Sequence, residues 1–192
     1  MLYLASRSPR RAKLLAMLGV DYTVVDVEVD ESVLTGEPAR DYVERVARMK
    51  ACAGQKSVGG GNTILAADTT VSLDQQLFGK PADFADAERM LRALSGRWHD
   101  VHTALVMIDE HSAQTCKVVS AQVEFADLPD ATIAAYWRTG EPQDKAGSYA
   151  IQGLGGAFVR RLEGSYSGVV GLPMTETCEM LAATGIRSIL SA

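Results

Sequence analysis

Apolar and polar positions follow two different periods along this chain, and the changes of period mark its elements. Leu2-Tyr3-Leu4-Ala5 is a short apolar run that predicts a buried strand. Ala12, Leu14, Leu15, Met17 and Leu18 then predict a helix ending at Gly19. Tyr22-Thr23-Val24-Val25 predicts a second strand. Tyr42, Val43, Val46, Ala47 and Ala53 form the apolar stripe of a helix over 39–55, with Lys50 at the edge of that stripe. Thr63-Ile64-Leu65-Ala66-Ala67 is apolar without interruption, as a central strand covered on both faces is. Val71-Ser72-Leu73 and Leu77-Phe78 flank a polar turn and predict a short hairpin. Beyond it come a helix from Asp83 or Asp86 to Leu94, strands over 98–108 and 116–125, and a helix between Pro129 and Thr139. Further strands are expected over 157–162 and 165–170, and a last helix over 173–183. Strands alternating with helices around an antiparallel block indicate an α/β protein.

The bulk properties narrow the class. A chain of 192 residues can bury one substantial core, or two small lobes sharing a sheet. A net charge of −5 argues against nucleic acid or an anionic membrane as partner, while leaving room for a local anion site. No apolar run approaches the ~20 residues that span a bilayer, and no signal peptide is visible. Cys52, Cys116 and Cys178 are odd in number and widely spaced. They read as reduced, mostly buried thiols of a cytoplasmic protein. No repeat or linker divides the chain, so one domain over 1–192 is expected.

Candidate chemistry begins at Ser6-Arg7-Ser8-Pro9-Arg10-Arg11. Ser8 is a good N-cap and Pro9 falls at the first helical position. Arginines in a first turn oppose the helix dipole unless an anion joins them. Free amides beside guanidinium groups suit a phosphate chain, the alternative being a solvated basic turn. Asp68 directly follows a buried apolar run, which places it at a strand's C-terminal end, where open α/β sheets bind ligands. There it can hold a cation or take a proton from water, or merely cap a turn. Glu31 ends an acidic run from Asp26, in which Glu28 and Asp30 share a face if the chain is extended. Its role is a metal ligand or part of a solvated edge. Lys50 and the Gly-Lys-Pro lysine, Lys80, either reach solvent or cancel triphosphate charge. His99 and His102 fall on opposite sides of a strand, and His111 on a turn, so no histidine metal site or triad is supported.

These segments together resemble the Maf family of nucleoside triphosphate pyrophosphatases. The matching pieces are Ser6 to Arg11, Val29-Asp30-Glu31, Ala47 to Ala51, Ala67-Asp68-Thr69, Gly79-Lys80-Pro81, Ser95-Gly96, Asp144 to Tyr149, Ile151-Gln152-Gly153 and Val169 to Pro173, in the family's order. The resemblance implies an elongated mixed sheet with helices and two lobes flanking a nucleotide groove, like the inosine-triphosphate pyrophosphatases. It implies hydrolysis of a nucleoside triphosphate to monophosphate and diphosphate with magnesium or manganese. Carried over by motif, Asp68 is the proton acceptor, Glu31 and Asp68 are the metal-binding acids, and Lys50 and Lys80 hold the phosphates. Ser6, Arg10 and Arg11 form the anion cradle. Arg10, Thr69 and Gln152 resemble the branch acting on dTTP and UTP, in a nucleotide house-cleaning role. The alternatives are the branch acting on 7-methyl-GTP and a non-catalytic regulator of cell division. The neutral amide of Gln152 can match the donor and acceptor edge of uracil or thymine. Arg7 departs from the small residue common there, and either narrows the cradle or adds a phosphate contact. A homodimer is left open.

Overall fold

The computed structural model describes residues 1–191. Among the described residues, seven strands form one mixed sheet in the order β2-β1-β3-β5-β6-β7, with β4 paired to the far half of β3. The chain begins with β1 (Leu2–Ala5), α1 (Pro9–Met17) and β2 (Tyr22–Val25). It continues with α2 (Ala39–Val58), β3 (Thr63–Leu73) and β4 (Gln76–Phe78). Next come α3 (Phe84–Leu94), β5 (Trp98–Ile108), β6 (Gln114–Phe125) and α4 (Asp130–Arg138). After short 3₁₀ turns, β7 (Val159–Glu163), α5 (Tyr166–Val170) and α6 (Met174–Ala183) complete it.

Side chains alternate across β3, and the alternation assigns the layers. Ile64 and Ala66 face α2, where Val43, Ala47 and Ala51 cover them. Leu65 and Ala67 face the other way, under Leu15 of α1 and Met180 and Leu181 of α6. Further along that second face, Val71 and Leu73 join a separate core with Leu91 and Leu94 of α3, Ile133 of α4, and Phe125 and Tyr149. The expected pair of lobes corresponds to these cores at opposite ends of one sheet.

Two expectations need correction. The strand expected over 165–170 is replaced by the short helix α5, Tyr166–Val170. Ser165 caps it by accepting the amide of Gly168 at 3.0 Å, and Gly171, at φ +123°, ends it. A β-branched pair such as Val169-Val170 disfavours helix only weakly, so a cap and tertiary packing override it. Cys52 is exposed rather than buried, with Cys116 and Cys178 half-buried and all three free. Among the described residues, no helix is long and apolar enough to cross a membrane.

Candidate functional site

The cleft lies where β3 changes partners. Parallel pairing with β1 runs from Leu2–Thr63 to Ala5–Ala66, and antiparallel pairing with β4 begins only at Val71–Phe78. Ala67, Asp68, Thr69 and Thr70 occupy the interval, while β5 holds the opposite edge of the strand. Asp68 therefore sits in mid-strand, not at the strand end that its sequence context predicted. The continuous apolar run stops at Asp68, but backbone pairing with β5 carries the strand on to Leu73. Into the gap come the β1–α1 loop and the first turn of α1, enclosing a cleft of about 310 Å³.

Asp68 points to the α2 side and is buried. Lys50 Nζ lies 2.7 Å from Asp68 Oδ1 and 2.7 Å from Glu31 Oε1. The lysine reaches so far because α2 lies close on the sheet, through Ala47, Ala51 and Gly54. A Cβ at Gly54 would stand 2.9 Å from the Ala5 Cβ and 3.1 Å from Ile64 Cγ2. Glu31 lies in the irregular segment between β2 and α2, where Asp26, Glu28 and Asp30 are exposed while Val27 and Val29 are half-buried, so Glu28 and Asp30 share a face as expected. Asp30 Oδ1 accepts the amide of Ser32 at 2.9 Å. Tyr42 Oη donates to the Glu31 carbonyl at 3.0 Å. Arg45 forks onto Glu37 at 2.6 and 2.7 Å and donates to the Ser32 carbonyl at 2.9 Å. Tyr42 and Arg45 escaped the sequence reading because their partners are backbone atoms and a loop acid.

Burial raises Asp68 above the ordinary carboxylate range, against the opposing pull of Lys50 and Arg11. Burial also raises Glu31, but the hydrogen bond and charge of Lys50, with Lys80 and Arg11, outweigh it and leave Glu31 low. Two acids at one ammonium thus differ in proton affinity, the basis for giving them different tasks.

The anion side is built on α1. Ser8 caps the helix through the Arg11 amide, and Ser6 Oγ accepts the Ser8 amide at 3.1 Å. Arg11 is buried, and its guanidinium reaches three elements. Nε donates to the Gly171 carbonyl at 2.8 Å, Nη1 to Ser6 Oγ at 3.4 Å, and Nη2 to Thr69 Oγ1 at 3.0 Å. Thr69 is 2.9 Å from Thr103 Oγ1, which donates to the Gly168 carbonyl at 2.8 Å. Arg11 and Thr69 are thus tied into the framework beneath the cleft. Arg10 is the freer cation, facing Asp144 at 3.7 Å. Lys145, part of the matching piece Asp144 to Tyr149 but given no role from sequence, also pairs with Asp144 and lines the cleft. Arg7 turns its guanidinium to Asp26 at 3.4 Å and Glu28 at 3.3 Å. Lys80 and Gln152 are exposed on the cleft wall. The histidines stand apart, as expected: His99 is 2.9 Å from Tyr149 Oη, and His102 is 2.8 Å from Ser120 on the other face.

The family model described as Maf-like protein matches residues 1–184. The chain belongs to the Maf family. A relative in Anaeromyxobacter dehalogenans is 53% identical over 96% of this chain and 94% of its own, and is named dTTP/UTP pyrophosphatase. One in Pseudoalteromonas atlantica with the same name is 48% identical over 95% of this chain and 96% of its own. A HAM1 protein from Coxiella burnetii, 19% identical, has the same fold at a TM-score of 0.55, over 95% of this chain and 98% of that one.

A divalent metal fits this Maf site only in part. Among the described residues, no cluster of three or more His, Cys, Asp and Glu is placed to hold one. Glu31 and Asp68 nevertheless converge on one cation, the Lys50 ammonium. Two carboxylates are what magnesium usually takes from a protein when substrate phosphates and water complete its shell. The donor set suits a metal shared with substrate rather than a protein-only cage.

Proposed function

We propose that this protein hydrolyses dTTP and UTP to the monophosphate and diphosphate, with the whole chain acting as one catalytic unit. The observation that carries the reading is the Glu31–Lys50–Asp68 cluster beside the N-terminus of α1. It sets a buried base against a cationic anion cradle. Relatives of about half-identical sequence bearing the dTTP/UTP pyrophosphatase name support the substrate class.

The triphosphate lies along Arg10, Lys80 and the opening of α1, which offset its charge. Arg11 and Ser6 keep the first turn in place. Asp68 takes a proton from water, the water oxygen bonds to the α-phosphorus, and the bridging oxygen leaves with diphosphate. Lys50 holds Asp68 in position and steadies the charge that develops. Glu31 and Asp68 would hold magnesium or manganese, which supplies Lewis-acid polarisation of the phosphates when bound. Gln152 pairs with the pyrimidine edge as donor and acceptor together.

A triphosphate panel with magnesium and with manganese, scored for monophosphate, tests this reading. UTP and dTTP should be the best substrates. Gln152→Glu should lower kcat/KM on UTP by roughly 5- to 150-fold, the cost of a polar group left unpaired where the bound base covers it. It should spare or improve 7-methyl-GTP, whose cationic base favours a carboxylate. Equal losses on both substrates would give Gln152 to loop structure and withdraw the pyrimidine assignment.

A further inference from the structure

The segment that carries Gln152 is held from behind by a pair of side chains that do not line the cleft. Tyr136, near the end of α4, is buried in the α3–α4 core, with its ring edge-on to Phe158 at 4.8 Å. Its hydroxyl donates to Glu141 Oε1 at 2.7 Å and accepts the Ala150 amide at 3.1 Å. Glu141 Oε2 accepts the Leu154 amide at 3.0 Å, and Oε1 accepts the Gly155 amide at 2.9 Å. One tyrosine–carboxylate pair therefore grips the chain just before and just after Ile151-Gln152-Gly153.

The glycines of this stretch fit the same pair. A Cβ at Gly153 would stand 2.3 Å from Glu141 Oε2, and one at Gly155 would stand 2.7 Å from Tyr136 Oη. Gly156 is excluded from a larger residue by the Ile151 carbonyl, 2.5 Å from its Cβ position. The glycine-rich sequence is thus explained by close approach to a carboxylate, a hydroxyl and a carbonyl of the protein itself. Nothing in it requires a phosphate.

We propose that Tyr136 and Glu141 are positioning residues for base selection, holding the 150–155 loop so that Gln152 meets the base at one fixed height. The inference rests on Gln152 reading the base. Both groups suit the task chemically. Burial raises Tyr136, as does its hydrogen bond to Glu141, so the hydroxyl remains a donor. Burial pulls Glu141 upward, but the Gly155 and Leu154 amides and Tyr136 outweigh it and keep the carboxylate ionised. A loop anchored to a core aromatic loses little entropy when substrate binds, and preorganisation of that kind goes into discrimination.

The test is a double-mutant cycle on kcat/KM for UTP and for GTP, with thermal unfolding followed in parallel. Tyr136→Phe and Glu141→Gln should each lower the UTP/GTP preference roughly tenfold, mostly through KM for UTP. The rate on GTP should stay within about threefold. In a Gln152→Ala background, neither change should alter the preference further, because each acts through Gln152. Equal losses on UTP and GTP, or full additivity with Gln152→Ala, would overturn the proposal. If Glu141→Gln does not fold, Tyr136→Phe, which deletes one atom, carries the same test. If Gln152→Ala alone leaves the preference intact, base reading by Gln152 fails, a result separate from failure of the clamp.

Discussion

Asp68 and Lys50 show how much a single position depends on its surroundings. A carboxylate on the surface would ionise near its ordinary value, but burial here makes its charged form costly. Lys50 offsets part of that cost at 2.7 Å, and neither member of the pair is expendable once the other is buried. Asp68→Asn should lower kcat by roughly 10²–10⁴-fold, the range for loss of a general base. Nucleotide affinity should remain within about tenfold, since the cationic residues that meet the phosphates are untouched. Near-native turnover in the purified variant would remove Asp68 from the chemistry.

At the scale of elements, the site depends on how closely α2 lies on the sheet. Ala47, Ala51 and Gly54 face Ala5, Ile64 and Ala66, so the helix side of the contact carries only small residues. Only this spacing lets a lysine from the helix reach an aspartate that belongs to a strand. Gly54→Val should force the two apart and cost about 1–3 kcal/mol, as overpacking does. Turnover should fall as well, although residue 54 is one helical turn away from Lys50 and touches no substrate. Thermal unfolding combined with steady-state rates checks both. A destabilised variant with unchanged kcat would mean that the Lys50–Asp68 distance tolerates movement of α2.

For the molecule as a whole, acid acts on the core at the far end of the sheet through a buried histidine. His99 belongs to the far core, edge-on to Phe125 at 4.8 Å and to Tyr149 at 5.5 Å. Burial lowers it from 6.5 to about 4, so it is neutral in the folded protein. The unfolded chain protonates this histidine near pH 6.5, the folded chain only near pH 4. Its contribution to stability is complete above pH 6.5 and drains away as pH falls toward 4. The loss should reach about 3 kcal/mol. Denaturant unfolding between pH 7 and 4.5 should show this slope, and His99→Gln should flatten it. An unchanged slope in the variant would place the acid sensitivity in other groups.

What the sequence determined by itself was local. Ser8 and Pro9 mark the start of α1 because capping is a matter of neighbouring backbone atoms. The hydrophobic periods place most of the strands and helices because each buries one face or two. Lys50 at the edge of an apolar stripe was legible as an anomaly. Its partners were not, because Glu31, Lys50 and Asp68 are brought together by folding alone. Tertiary structure also decided that Asp68 lies in mid-strand, since strand length there depends on pairing with β5. It turned 166–170 into a helix, and committed Arg11 to Gly171, 160 residues away. It gave the Gly153–Gly156 glycines their reason through Tyr136, Glu141 and Ile151. A periodic pattern records which face is buried, but not which distant polar atom waits there, because a hydrogen bond depends on ångström positions that only the packed chain sets.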